Sequence, residues 1–212
     1  MRQPGEAADH LLLGASDLDV AIAWFDERTG VRAARGGSHP GVGTQNALVS
    51  LGGAQYLEII APDPAQSVYG FHIDVRTLTA PRLVTWAAST PSADSMAAAA
   101  RAARLEVFGP ADGSRARPDG TTLHWRTVGV RTELASPAAD PVPFFIEWAP
   151  GTRHPSADSP PGCRLILLEL AHPDSARLRQ TLATLGIDAL VAKAPAPAIH
   201  AVLDTPKGRV QI

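Results

Sequence analysis

The sequence predicts an α+β protein in which repeated β-α-β-β-β modules form curved mixed β-sheets with helices packed on the outside. Two observations carry that reading. A short apolar run, a capped stretch with helical spacing and further apolar runs recur along the 212 residues. Glycine also closes the first and last of the helical stretches at matching places, in Thr29-Gly30-Val31 and Leu185-Gly186-Ile187. A unit of this size cannot hide one face of its sheet alone, so copies must pair, and the concave side of the pair becomes the natural pocket.

The first copy opens at residues 10–13, where His10 precedes Leu11-Leu12-Leu13, and Gly14-Ala15-Ser16-Asp17 supplies a turn and a helix cap. From Leu18, the residues Val20, Ile22, Trp24 and Phe25 form an apolar stripe, which predicts a helix of about 12 residues ending before Gly30. Strands are expected at 31–34, 46–51 and 55–60, with a Gly-rich loop at 36–43 and a hairpin at Gly52-Gly53. The second copy runs from Leu83-Val84-Thr85-Trp86 through an Ala-rich helix at 92–105 to strands at 107–109, 122–128 and 144–148. Polar or Pro-rich insertions are expected at 110–119 and 135–143. The third copy is shorter, with strands at 164–170, 199–203 and 209–212 and a helix opened by Pro173-Asp174. This divides the chain into a domain at 8–156, with modules at 8–62 and 82–150, and a third module at 163–212.

A formal charge of −2 and a pI near 6.4 supply no basic field, so nucleic acid is not an expected partner. Cys163 is the only cysteine, which excludes an internal disulfide and a thiolate metal cage and leaves inert packing as its expected role. The start MRQPGEAADH has no apolar leader, and no run approaches the ~20 apolar residues of a membrane span. A cytoplasmic, membrane-free protein is the expectation. No dinucleotide turn, phosphate loop or nucleophile elbow is present.

Asp9-His10 with the leucines that follow, Asp17-Leu18 with its helix, and Tyr56-Leu57-Glu58-Ile59-Ile60 resemble the first module of the vicinal oxygen chelate superfamily. His39-Pro40-Gly41-Val42-Gly43-Thr44-Gln45-Asn46 resembles the His-x-x-x-Gly-Thr-x-Asn loop of its glyoxalase-like branch. So do the stretch from Arg117 to Gly120, His124-Trp125, and Phe144-Phe145-Ile146-Glu147-Trp148. The resemblance implies a divalent metal (Zn, Ni, Mn or Fe) held by His10 and Glu58, with Glu147 near the matching place in the second module. Open positions on such a metal would polarise substrate oxygens. Superposing first strands sets Leu83 opposite His10, so only two or three protein ligands are visible. The superfamily contains lyases, isomerases, dioxygenases and metal-free drug-binding proteins, and fold alone does not choose among them. Two readings follow: a metal-dependent lyase, isomerase or dioxygenase, and a metal-free binder of a small or drug-like molecule, which Leu83 favours.

Glu58 lies between Leu57 and Ile59, where alternation turns it away from both and toward a pocket as a catalytic carboxylate. His39 is a candidate general acid or base, with Thr44 and Asn46 as ligand contacts. The alternative is a turn whose Asn and Thr bond their own backbone. Arg117, Trp125 and Trp148 are candidates for a wall that recognises an anionic or planar ligand, and the two tryptophans serve equally as core. His72, His124, His154, His172 and His200 show no mutual spacing and are expected on surface or loops. Exposed strand edges in the third module predict a homodimer.

Overall fold

The computed structural model describes residues 4–116 and 120–212. A single helical turn, α1 (Pro4–Ala7), leads into β1 (Ala8–Gly14), which is buried along its whole length. Asp17 caps α2 (Leu18–Thr29) by accepting the Val20 N–H at 2.9 Å, and Gly30 ends it in the left-handed conformation at φ 76°. The first module is completed by β2 (Ala34–His39), β3 (Thr44–Ser50) and β4 (Tyr56–Pro62). The second module comprises β5 (Arg82–Ser89), α3 (Ala93–Ala102), β6 (Glu106–Ala116), β7 (Thr122–Arg131) and β8 (Phe144–Trp148). On α3, Ala93, Ala97 and Ala100 face the sheet, and these small side chains let the helix lie close to it.

Among the described residues the two modules form one eight-stranded sheet in the order β2-β3-β4-β1-β5-β8-β7-β6. The central pair, β1 and β5, runs antiparallel and joins the modules. α2 packs on β3 and β4, and α3 packs on β6, β7 and β8, so both helices share the outer, core-forming side. The segment linking β4 to β5 crosses the other side, where Ile73, Val75 and Leu78 pack on Leu12, Ile60 and Val84. The outermost strands β2 and β6 also meet, with the Arg115 guanidinium against Gly36 and Gly37. A Cβ at Gly36 would run into Asn46 Oδ1 and stand 2.9 Å from Arg115 Nη1, which is why this position carries no side chain.

The remainder forms a four-stranded sheet, order β10-β9-β11-β12, from β9 (Arg164–His172), β10 (Val191–Lys193), β11 (Ala198–Thr205) and β12 (Gly208–Gln211), with α4 (Ser175–Thr184) after β9. It repeats the β-α-β-β-β order, but β9 pairs with both β10 and β11, whereas β1 pairs with β4 and β5. Leu168, Leu170, Ile199, Ala201 and Leu203 join the core that also contains Phe25 and Trp86. Cys163 is buried, and desolvation pushes its thiol up to about 11, in keeping with inert packing.

Some boundaries differ from the sequence-based expectation. The strand expected at 31–34 starts at Ala34 and runs to His39, so the loop shrinks to the turn at 40–43. Gly36-Gly37 belongs to β2 at a register shift rather than to a loop. The strand expected at 107–109 extends to Ala116, and the register shift between Phe108 and Ala111 accommodates Pro110 within it. β10 was absent from the expectation because three residues carry too little pattern to read.

Candidate functional site

The concave side of the eight-stranded sheet holds a cavity of about 530 Å³, shared by both modules, whose lining includes His10, His39, Thr44, Asn46, Tyr56, Glu58 and Arg115. Strand alternation places most of them: Thr44, Asn46 and Leu48 on β3, and Tyr56, Glu58 and Ile60 on β4, face the same space. β1 behaves differently. Its register to β5 breaks between Ala8 and His10, and the bulge turns the sequence neighbours Asp9 and His10 toward the same side.

Glu58 is the hub. Its Oε1 accepts a hydrogen bond from Asn46 Nδ2 at 2.8 Å and lies 3.6 Å from His39 Nε2, while Oε2 lies 3.6 Å from His10 Nε2. His10 is held from behind by Asp9, whose Oδ1 stands 2.8 Å from Nδ1, and its ring stacks on Tyr56 at 4.5 Å. Burial alone would raise the Asp9 carboxyl. The hydrogen bonds and charges of His10 and His154 outweigh that effect and hold it well below the usual carboxylate range. Trp148 Nε1 donates to Asp9 Oδ2 at 2.9 Å, and His154 Nε2 lies 3.2 Å from the same oxygen.

His39 Nδ1 is 2.8 Å from Thr44 Oγ1 and its Nε2 is 3.2 Å from Asn46 Nδ2. With Asn46 donating to Glu58, this network assigns His39 the Nδ1–H tautomer. Burial lowers the His39 pKa; the nearby Glu58 charge opposes the fall, and Arg115 and His10 add to it. Asn46 Oδ1 is buried with no hydrogen-bond partner among the described residues. Burial, followed by the charges of Glu58 and Asp9, raises the Tyr56 phenol well above its ordinary value.

His10, His39, Thr44, Asn46, Glu58, Trp125 and Trp148 therefore all line one cavity. Trp125 and Trp148 pack edge to face at 5.7 Å on its wall. Arg117 lies outside the described residues. Arg115, two positions earlier in the sequence, is buried and lines the cavity. Glu147 does not reach this space: it lies on the helix side, where Oε2 accepts the Ala93 N–H at 2.8 Å and stands 3.8 Å from Arg126. His154 also departs from expectation, because a 3₁₀ turn, Pro155–Ala157, anchors it beside Asp9 through Ser156. Sequence reading gave no role to Asp9, Tyr56 or Arg115, although Asp9 adjoins His10 and Arg115 shares parity with Arg117.

A curved eight-stranded sheet built from two β-α-β-β-β modules around a polar pocket defines a protein of the vicinal oxygen chelate superfamily. Residues 8–186 match the family model described as a glyoxalase-like domain, and the chain belongs to that family. A hypothetical protein from Staphylococcus aureus is similar in structure, with a TM-score of 0.73 at 12% identity over 95% of this chain and 92% of that one. Methylmalonyl-CoA epimerase from Mycobacterium tuberculosis is similar at TM-score 0.50 and 20% identity, covering 71% of this chain and 93% of that one. Both likenesses are of fold. No curated protein sequence matches the chain significantly.

Divalent metals are common in this superfamily, and the donor set here falls short of what one requires. The β1–β5 ladder pairs Leu12 with Thr85 and His10 with Ala87, so the two-fold relation of the modules exchanges His10 with Thr85. In the flanking parallel ladders Leu12 faces Glu58 and Ala87 faces Phe144, which sets Phe144 at the place of Glu58. Leu83 is not the counterpart of His10, because a register shift turns it to the helix-side core. A hydroxyl and a phenyl ring thus stand where the second module would supply two ligands. Among the described residues no group of three or more His, Cys, Asp or Glu side chains is placed to hold a metal ion. The residues present do not fit the expected centre.

Next to this cavity, and sharing Phe71, Thr127 and Phe144 with it, lies a second one of about 660 Å³. Asp140 lines it, and desolvation pushes that carboxyl up to about 6, with the Val142 N–H opposing the rise. The folded state therefore binds the proton more tightly than the unfolded chain, and stability falls as pH rises from the ordinary value of 3.8 through about 6. Asp140→Asn is expected to exceed the parent in stability by up to about 3 kcal/mol near neutral pH, with the gap closing near pH 4. Urea unfolding at the two pH values measures it, and a pH-independent gap would contradict the assignment.

Proposed function

We propose that the chain is a proton-transfer enzyme of the glyoxalase-like class, acting on a small oxygenated carboxylate through its own side chains. The observation that carries this reading is the Glu58 carboxylate, 7% exposed, with one oxygen fixed by Asn46 and the other close to His10. Glu58 is the base that removes a proton from carbon beside a carbonyl, leaving an enolate, and it returns that proton to the same carbon. His10, oriented by Asp9, contacts the oxygen that gains charge, and Arg115 anchors the substrate carboxylate. Neutral His39 keeps Asn46 directed at Glu58. The lowered His39 pKa supports this, since an imidazolium there would compete for the same carboxylate.

Hydrogen–deuterium exchange tests the reading whatever the product turns out to be. Small 2-oxo and 2-hydroxy carboxylates in D₂O are expected to gain deuterium at the carbon beside the carbonyl, before and after chelator treatment. Glu58→Gln should slow that exchange by about 10²–10⁴-fold while leaving binding in place. Exchange that survives the substitution, or that disappears with the chelator, would refute the proposal. A binder without turnover is the second reading, supported by the Trp125–Trp148 wall; it predicts thermal-shift hits that chelators leave unchanged and no exchange.

Two further parts of the proposal are a cytoplasmic location and a homodimer. No helix among the described residues is long and apolar enough to cross a membrane. Ile166 and Leu167 on β9 are 40% and 41% exposed, a surface suited to a second copy. Light scattering at the monomer mass would remove the dimer.

A further inference from the structure

The second cavity has a chemistry unlike the first. Phe71, Phe108, Phe144, Val130 and Val142 supply most of its apolar wall, and Asp140 contributes a carboxyl to it. Asp140 is 9% exposed. Its Oδ1 accepts the Val142 N–H at 3.0 Å, and its backbone N–H donates to Val84 O at 2.8 Å. The two basic side chains on the same wall do not compensate it. Arg131 stacks over the Phe108 ring at 4.3 Å and stands 3.4 Å from Glu106, while His72 packs edge to face on Phe71 at 4.9 Å. A carboxylate so buried without a counter-charge is costly unless something cationic arrives to meet it. Aromatic faces beside a buried carboxylate are the arrangement that favours an ammonium over an uncharged group of equal shape.

We propose that this cavity is a separate binding site for an organic cation, an alkylated amine or quaternary ammonium group, seated among the phenyl rings with Asp140 as its counter-ion. The proposal does not depend on the chemistry assigned to Glu58. Ligand binding there would also recover the stability that the uncompensated Asp140 withholds near neutral pH, so the site would be less stable empty than filled.

The probes are choline and dimethylbutanol, its uncharged carbon isostere, titrated into the intact protein near neutral pH and followed by NMR. Choline is expected to bind tighter than the isostere by about tenfold or more, with shifts centred on Phe71, Val130 and Val142. Asp140→Asn, which keeps the acceptor for the Val142 N–H, should bring the two affinities together while leaving dimethylbutanol binding unchanged. Phe71→Leu should narrow the ratio from the aromatic side, and Glu58→Gln should leave it intact. Equal affinities in the parent protein, or a preference that survives Asp140→Asn, would overturn the proposal. A preference erased by Glu58→Gln alone would place the cation in the neighbouring cavity and overturn it as well, whereas loss of deuterium exchange in that variant bears only on the proton-transfer reading.

Discussion

Asp9→Ala is expected to lower stability near neutral pH by about 3–5 kcal/mol, which for a chain of this size moves Tm by on the order of 10 °C. Asp9 is 3% exposed and receives His10 Nδ1, Trp148 Nε1 and His154 Nε2 from three separate segments, at 2.8, 2.9 and 3.2 Å. Truncation strands three nitrogens at once, that of His10 buried and those of Trp148 and His154 partly so, and that asymmetry makes the loss large. Asp9→Asn should fall between parent and alanine variant, because an amide oxygen still accepts. The sign of the pH dependence follows from the lowered carboxyl: its contribution is complete above the ordinary value of 3.8 and is lost as acid drives pH down toward the folded value. Parent and Asp9→Ala should therefore converge in strong acid. Urea midpoints that differ by less than about 1 kcal/mol near neutrality would show that the three donors find other partners.

Gly43→Ala has the second large effect, and its target is the turn that holds the segment leading to Phe71, a residue lining both cavities. Gly43 has φ 78°, and an added Cβ would run into the Val68 carbonyl oxygen and stand 2.8 Å from the carbonyl carbon. The obstacle is backbone, which cannot step aside as a side-chain tip can. That backbone belongs to a segment bound to the same turn, through Asp63 N–H to Gly43 O at 3.0 Å and Gly70 N–H to Val42 O at 2.8 Å. Left-handed backbone and collision together are expected to cost about 3 kcal/mol, released in part by lifting the segment that carries Phe71. Amide exchange at Gly70 should accelerate while β1 and β5 amides keep their protection. A variant within about 0.5 kcal/mol of the parent and with unchanged exchange would contradict this account.

The module order was legible because its signals are local: a cap at Asp17, Ser92 and Asp174, a glycine after a helix, and apolar runs between. The full lengths of β2 and β6 were not. Gly36-Gly37 and Gly109-Pro110 read as breakers, yet the partner strands hold them in the ladder with shifted register. The same division applies to the pocket. Alternation finds Glu58, and the loop motif finds His39, Thr44 and Asn46. Asp9 escapes because a bulge defeats alternation, and Glu147 misleads because one register step reverses a strand residue. Only the ladders reveal that Thr85 and Phe144 are the true counterparts of His10 and Glu58. Asp140 and His72 come from connecting segments with no periodicity to betray where they fold.

The contact between β2 and β6 brings the two margins of the curled sheet together beside the cavity. The margins meet where Gly36-Gly37 of one lies against Arg115 of the other, at a seam where the two strands are not ladder neighbours. Bulk added at Gly36 would press on Asn46 Oδ1 and Arg115 Nη1 together, disturbing at one stroke the amide that fixes Glu58 and the arginine of the cavity.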